Sequence, residues 1–148
     1  MVKLCKDTNL MIRQLNILFI EDDVIELMKF NRVLSKLGLN HKLIETNNGE
    51  EALSMLRNDG FLPDIILLDL NMPKLNGIEF LKILKNDDNL RRIPAIVFTT
   101  SNNPNDILEC YKIGIAGYII KPLKYEDYVV LVGKTLDYWS TNELIQSK

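Results

Sequence analysis

The chain has 148 residues, 47% hydrophobic and 26% charged, with a formal net charge of −2. That length suits one domain with a real core, and the composition excludes a disordered chain. The charge gives no general attraction to nucleic acid or anionic membrane, and two cysteines without metal-type spacing, Cys5 and Cys110, fit a reducing compartment better than a disulfide framework.

The opening stretch "MVKLCKDTNLMIRQL" is interrupted by Lys3, Lys6, Asp7 and Arg13 and lacks the apolar block of a signal peptide. No run approaches membrane-spanning length, so the expected location is the cytoplasm. Residues 1–14 read as an N-terminal extension, either a packed extra turn or a projecting arm. A domain over 15–137 follows, and 138–148 forms the end of the last helix and a tail.

"ILFI" (17–20) predicts the first strand. A helical stripe of Val24, Leu27, Met28, Val33, Leu34 and Leu37 follows, stopped by Gly38. "KLIET" (42–46) is the second strand, and Ala52, Leu53 and Leu56 mark the second helix. "DIILL" (64–68) is the third strand, with Ile78, Leu81 and Leu84 on the helix after it. "AIVFT" (95–99) leads to "NPNDILECYKIG", which opens on Asn103 as a cap with Pro104 in the first turn and stops at Gly114. "GYII" (117–120) precedes a helix from about Tyr125 with Val129, Val132 and Leu136 inward. The first, third and fourth strands are apolar on successive residues, the pattern of strands covered on both faces. Five βα units in succession imply an α/β, doubly wound, five-stranded parallel sheet with right-handed crossovers. The flavodoxin-like (βα)5 strand order 2-1-3-4-5 is the expected version, although spacing alone does not select it.

Such sheets bind ligands beyond the carboxyl ends of their strands. There the sequence places Glu21, Asp22 and Asp23, then Asp69, then Thr99 and Thr100, then Lys121-Pro122. Singly, each has a plain structural reading: helix-capping acids, a β-branched strand residue, a solvated loop lysine. Together they would converge on one edge. Clustered carboxylates raise one another's pKa unless a cation holds them. The candidate ligands are all oxygens, and the single histidine, His41, lies at the start of the second strand. Hard oxygen donors select Mg2+ or Mn2+ over zinc. A carboxylate beside such an ion can attack phosphorus and become an aspartyl phosphate, and Lys121 and Thr99 are the kinds of group that neutralise the transferring oxygens. From the residues alone the reading is an Mg2+-dependent phosphoryl acceptor or phosphotransferase, with Asp69 as nucleophile.

The segments "ILFIEDD", "PDIILLDLNMPKLNG", "IPAIVFTTS" and "GYIIKPL" occur in order and at family spacing. Over about residues 15–137 they resemble the receiver domain of two-component response regulators, of which chemotaxis regulators are the simplest. The resemblance implies that Asp69 accepts a phosphoryl group from a phosphohistidine of a sensor histidine kinase. It implies that Asp22 ligates Mg2+, that Glu21 assists through water, and that Asn71 adds its backbone carbonyl. Thr99 and Lys121 would contact the phosphoryl oxygens. Tyr118 would be the aromatic switch, altering the face built from the fourth helix, fifth strand and fifth helix. The Lys121–Pro122 peptide is typically cis in that family. The acidic pair can be read as Glu21/Asp22 or Asp22/Asp23; family spacing favours the first and leaves Asp23 to cap the first helix.

The protein so described is a phosphoacceptor switch that assists its own phosphorylation and hydrolysis, not a conventional enzyme. Its expected partners are a sensor histidine kinase, a histidine phosphotransfer protein or downstream target, and a second copy through the switch face or tail. Direct DNA binding and membrane association are not expected. The tail "LDYWSTNELIQSK" and the "FTTS" run resemble regulators partnered with phytochrome-type or hybrid histidine kinases. Tyr138 and Trp139 either cover the core or form a self-association face. A haloacid-dehalogenase-type phosphatase would carry a second acid where Asn71 stands, and a flavin binder would need a Ser/Thr-rich loop after the first strand. A receiver-shaped scaffold that is never phosphorylated would not need the chemical residues found here.

Overall fold

The computed structural model describes residues 2–4, 11–72 and 74–145. Two short strands, β1 (Val2–Leu4) and β2 (Met11–Arg13), pair antiparallel. The described part of the N-terminal extension is therefore a strand pair; residues 5–10, Cys5 included, lie outside the described residues. From Asn16 onward strands and helices alternate: β3 (Asn16–Ile20), α1 (Val24–Lys36), β4 (Lys42–Thr46), α2 (Gly49–Asn58), β5 (Ile65–Leu68), α3 (Gly77–Asn86), β6 (Ala95–Thr99), α4 (Pro104–Ile113), β7 (Gly117–Ile120) and α5 (Tyr125–Ser140). Among the described residues β3 to β7 form one five-stranded parallel sheet in the order β4-β3-β5-β6-β7, which is the expected 2-1-3-4-5 arrangement.

The unbroken apolar strands are buried on both faces for a simple reason. Successive side chains point to opposite faces. Ile17 and Phe19 enter a layer with Phe30 and Val33 of α1 and Val132 and Leu136 of α5. Leu18 and Ile20 enter the opposite layer with Ala52 of α2, Phe80 of α3 and Cys110 of α4. The sheet is thus held between two helical layers.

Local signals set the helix ends. Asp23 caps α1, its Oδ1 accepting from the Ile25 N–H at 2.9 Å. Gly38, at φ 65, closes the helix as the N–H of Leu39 returns to Leu34. Asn103, Pro104 and the left-handed Gly114 bound α4 as expected. The α1 stripe differs from its prediction. Leu27, Val33 and Leu34 are inward with Phe30, but Val24 and Met28 are 64% and 62% exposed. Leu27 of the same turn is buried, so the cause is angular: Val24 and Met28 lie to the side of the helix face set by Leu27, Phe30, Val33 and Leu34.

Near the end of the chain, Trp139 packs on the α1–α5 layer while its neighbour Tyr138 is 61% exposed. Trp139 thus covers the core, and Tyr138 does not. The Lys121–Pro122 bond corrects another expectation: the described residues contain no cis peptide, so this bond is trans. Proline narrows the trans preference to about 0.5–1 kcal/mol without reversing it.

Gly77 shows how tightly the layers meet below the site. A Cβ there would stand 2.6 Å from the Leu70 Cα and 2.7 Å from the Asp69 carbonyl oxygen, both backbone atoms that cannot turn aside. Gly77→Ala is expected to lower stability by about 1–3 kcal/mol, read from the midpoint of urea unfolding.

Candidate functional site

Three residues that directly follow strands are still held by strand-like hydrogen bonds. The Glu21 N–H donates to the Thr46 carbonyl at 3.0 Å, the Asp69 N–H to Ile20 at 3.1 Å, and the Lys121 N–H to Thr99 at 2.7 Å. Each backbone is pinned as if the strand continued, while the side chain projects past the sheet edge. β5 is the middle strand of the sheet and β3 lies directly beside it, so Glu21 and Asp69 are neighbours by topology.

The side chains meet around one ammonium. Lys121 Nζ lies 2.7 Å from Glu21 Oε1, 3.4 Å from Glu26 Oε2 and 4.0 Å from Asp69 Oδ2. The lysine side chain is 4% exposed and that of Asp69 13%. The face of Phe98 lies below, its centroid 5.5 Å from the ammonium. Glu21, Asp22 and Asp69 each present an oxygen within 4.8 Å of the others. Asp23, Glu26, Asn71 and Thr100 complete the cleft wall. The Asp69 Oδ1 also accepts from the Asn71 N–H at 3.3 Å, which ties the start of the following loop to the site.

Charge in this cleft is unbalanced. Burial, with the charge of Asp69 adding to it and Lys121 opposing, raises the Glu21 carboxyl from 4.5 to about 7. Burial alone would lower the Lys121 pKa, but its hydrogen bond to Glu21 and the charges of Glu21, Asp69 and Glu26 outweigh it, and the lysine stays cationic. One ammonium facing several carboxylates leaves negative charge for a cation to offset. The donors are all oxygens, and Glu21, Asp22 and Asp69 fit a hard divalent ion such as Mg2+ or Mn2+.

The other residues singled out in the sequence are placed as follows. Thr99 is buried at the end of β6, with its Oγ1 accepting from the Ser101 N–H at 3.4 Å. The threonine that lines the cleft is its neighbour Thr100. Tyr118 is partly buried against the α2–α4 layer and donates its hydroxyl hydrogen to the Ser101 carbonyl at 2.9 Å. It is thereby tied to the loop that follows Thr99 and carries Thr100. His41 accepts from the Leu15 N–H at 3.0 Å, a structural contact away from the cleft. Glu26 was not legible as a site residue. Its spacing from Asp23 reads as an ordinary capping box, and only the fold sets it beside Lys121.

A doubly wound sheet in this order, with acids and a buried lysine at its carboxyl edge, defines a receiver-type domain. Residues 17–132 match the model of the response regulator receiver domain, and the chain belongs to that family. The probable methanogenesis regulatory protein FilR2 of Methanothrix harundinacea is 36% identical over 127 residues, 83% of this chain and 82% of that protein. The response regulator Rcp1 of Synechocystis sp. is 33% identical over 128 residues, covering 83% and 87%. Among solved structures, the phosphorylated cyanobacterial phytochrome response regulator RcpA superposes with a TM-score of 0.84 at 32% identity, over 90% of this chain and 99% of that one. The Mn2+-bound form of Rcp1 gives 0.82 at 31% identity, over 89% and 99%. Among the described residues no helix is long and apolar enough to cross a membrane.

The raised pKa of Glu21 has a consequence for stability. Between 4.5, its value in an unfolded chain, and about 7, its native value, the folded protein holds a proton that the unfolded chain has lost. The contribution is full below that window and is lost as pH rises through it. In chelator, the difference in unfolding free energy between the wild type and Glu21→Gln should therefore shift against the wild type as pH rises across the window, as read by urea titrations.

Proposed function

We propose that this receiver domain is a cytoplasmic phosphoacceptor switch in which Asp69 takes a phosphoryl group from the phosphohistidine of a sensor histidine kinase. The observation that carries the reading is the constellation itself: a nearly buried carboxylate at a pinned strand end, 4.0 Å from a buried ammonium and clustered with two further acids. An Asp69 oxygen attacks phosphorus, the P–N bond to the donor histidine breaks, and the electron pair leaves with the imidazole, which takes up a proton. The products are an aspartyl phosphate and a neutral histidine. Asp22, Asp69, the backbone carbonyl of Asn71 and, through water, Glu21 would hold Mg2+ or Mn2+. That ion, when bound, offsets charge on the transferring oxygens.

Lys121 supplies a fixed positive charge beside the attacking oxygen, and the Thr99 hydroxyl donates a hydrogen bond to a phosphoryl oxygen once the loop after β6 moves. Tyr118 is bonded to that same loop, so its ring registers the movement and passes it to the face of α4, β7 and α5. Leu108 and Tyr111 of α4 and Ile120 of β7 are exposed there, as a surface for protein partners requires. The phosphorylated state of RcpA and the Mn2+ of Rcp1 support the reading by likeness.

Intact mass after incubation with Mg2+ and acetyl phosphate is the direct test. The wild type is expected to gain a single Mg2+-dependent, hydroxylamine-labile phosphate that Asp69→Asn lacks, and Lys121→Met to gain it about 100-fold more slowly. A wild type that binds Mg2+ yet gains no adduct would reduce the protein to a receiver-shaped scaffold.

A further inference from the structure

Lys121 faces more carboxylate than one ammonium can serve. Its 2.7 Å bond goes to Glu21 Oε1, and Glu21 is also one of the three acids gathered within 4.8 Å of one another. A divalent cation in that cluster reaches Glu21 through water, yet it competes for the same carboxylate that now accepts from Lys121. The ion's charge and its bound water draw the Glu21 oxygens away from the ammonium. Were the bond simply broken, a lysine with 4% of its side chain exposed would lose its main counter-charge, which is strongly unfavourable.

Glu26 is placed to take over. Its Oε2 stands 3.4 Å from Lys121 Nζ, inside ion-pair range. That oxygen is buried, yet among the described residues it accepts no hydrogen bond. Its spacing from the α1 cap would ordinarily commit it to the backbone. In α3 the same arrangement closes completely: Asn76 and Glu79 each accept from the other's N–H. In α1 the Asp23 N–H instead donates to Glu21 Oε2 at 3.4 Å, and Asp23 Oδ1 takes the Ile25 N–H. Glu26 is thereby released from capping and lies in the cleft wall beside the lysine.

We infer that Glu26 is a positioning residue that receives Lys121 when a divalent cation claims Glu21, keeping the ammonium paired and beside Asp69. Its purpose rests on the phosphoacceptor reading, but the exchange itself concerns metal binding and can be measured apart from phosphorylation. The competing account is that Glu26 only adds negative charge to the cleft. In that case it would favour cation binding whether or not the lysine is present.

A double-mutant cycle on the full chain separates the two accounts. Mg2+ affinity is measured calorimetrically at pH 8 for the wild type, Glu26→Gln, Lys121→Met and the double variant, and adduct formation with acetyl phosphate is followed on the same samples. Removing the acid should weaken Mg2+ binding about tenfold when Lys121 is present and less than about twofold when it is absent. Should Lys121→Met fail to fold, Lys121→Gln takes its place in the cycle. Equal weakening in both backgrounds, or none in the wild type, would overturn the positioning role. A coupled cycle in a wild type that forms no adduct would overturn the phosphoacceptor reading and leave the role of Glu26 standing. A wild type that binds no Mg2+ would overturn both.

Discussion

The buried ion pair between Lys121 and Glu21 is the contact on which the arrangement of the carboxyl edge depends. It joins the end of β7 to the end of β3 across the sheet, and both partners are nearly or fully removed from water. A buried pair of this kind adds little net stability, because desolvation consumes most of the Coulombic gain. Its effect is on position. It draws the lysine over the centre of the sheet, where Asp69 lies, and it keeps that lysine charged in a place where burial alone would favour its neutral form.

The rest of the fold makes that pair possible. Parallel strands bring their carboxyl ends to the same edge, and the order β4-β3-β5-β6-β7 sets the acids of β3 and β5 side by side. The backbone hydrogen bonds of Glu21, Asp69 and Lys121 carry the regularity of the sheet one residue past each strand, so these side chains start from fixed points. Below them the approach of α3 to the chain after β5, at Gly77, leaves no room for a β-carbon. Pre-organisation of this kind is what charge-stabilised phosphoryl chemistry draws on, since its groups need placing more than they need reactivity.

Much of this was readable before any coordinates. The βα alternation, the caps at Asp23, Asn103 and Gly114, and the acids and lysine just after the apolar runs follow from local pattern. The strand order and the convergence of Asp69, Glu21, Asp22 and Lys121 are expected from the fold class and not from spacing. Where the reading went astray, a non-local cause can be named. Val24 and Met28 are apolar, but the face that packs on the sheet is the one carrying Leu27, Phe30, Val33 and Leu34, and the two lie to its side. Tyr138 and Trp139 are adjacent in sequence, yet only Trp139 turns toward the core, because neighbouring helix positions face different directions. Glu26 carried the signature of a helix cap, and the competition of Glu21 for the same N–H was invisible in one dimension.

What the sequence determined by itself is therefore the identity and order of the elements and the chemical types at the strand ends. Period, capping and apolar continuity are properties of a few consecutive residues, and most of them survive whatever surrounds them. The tertiary structure alone decided which carboxylate holds the lysine, which threonine faces the cleft, and that Lys121–Pro122 is trans. Those outcomes turn on distances of a few ångströms between segments far apart in the chain. There burial, charge and packing from several strands compete for one group, and no local pattern records which of them prevails.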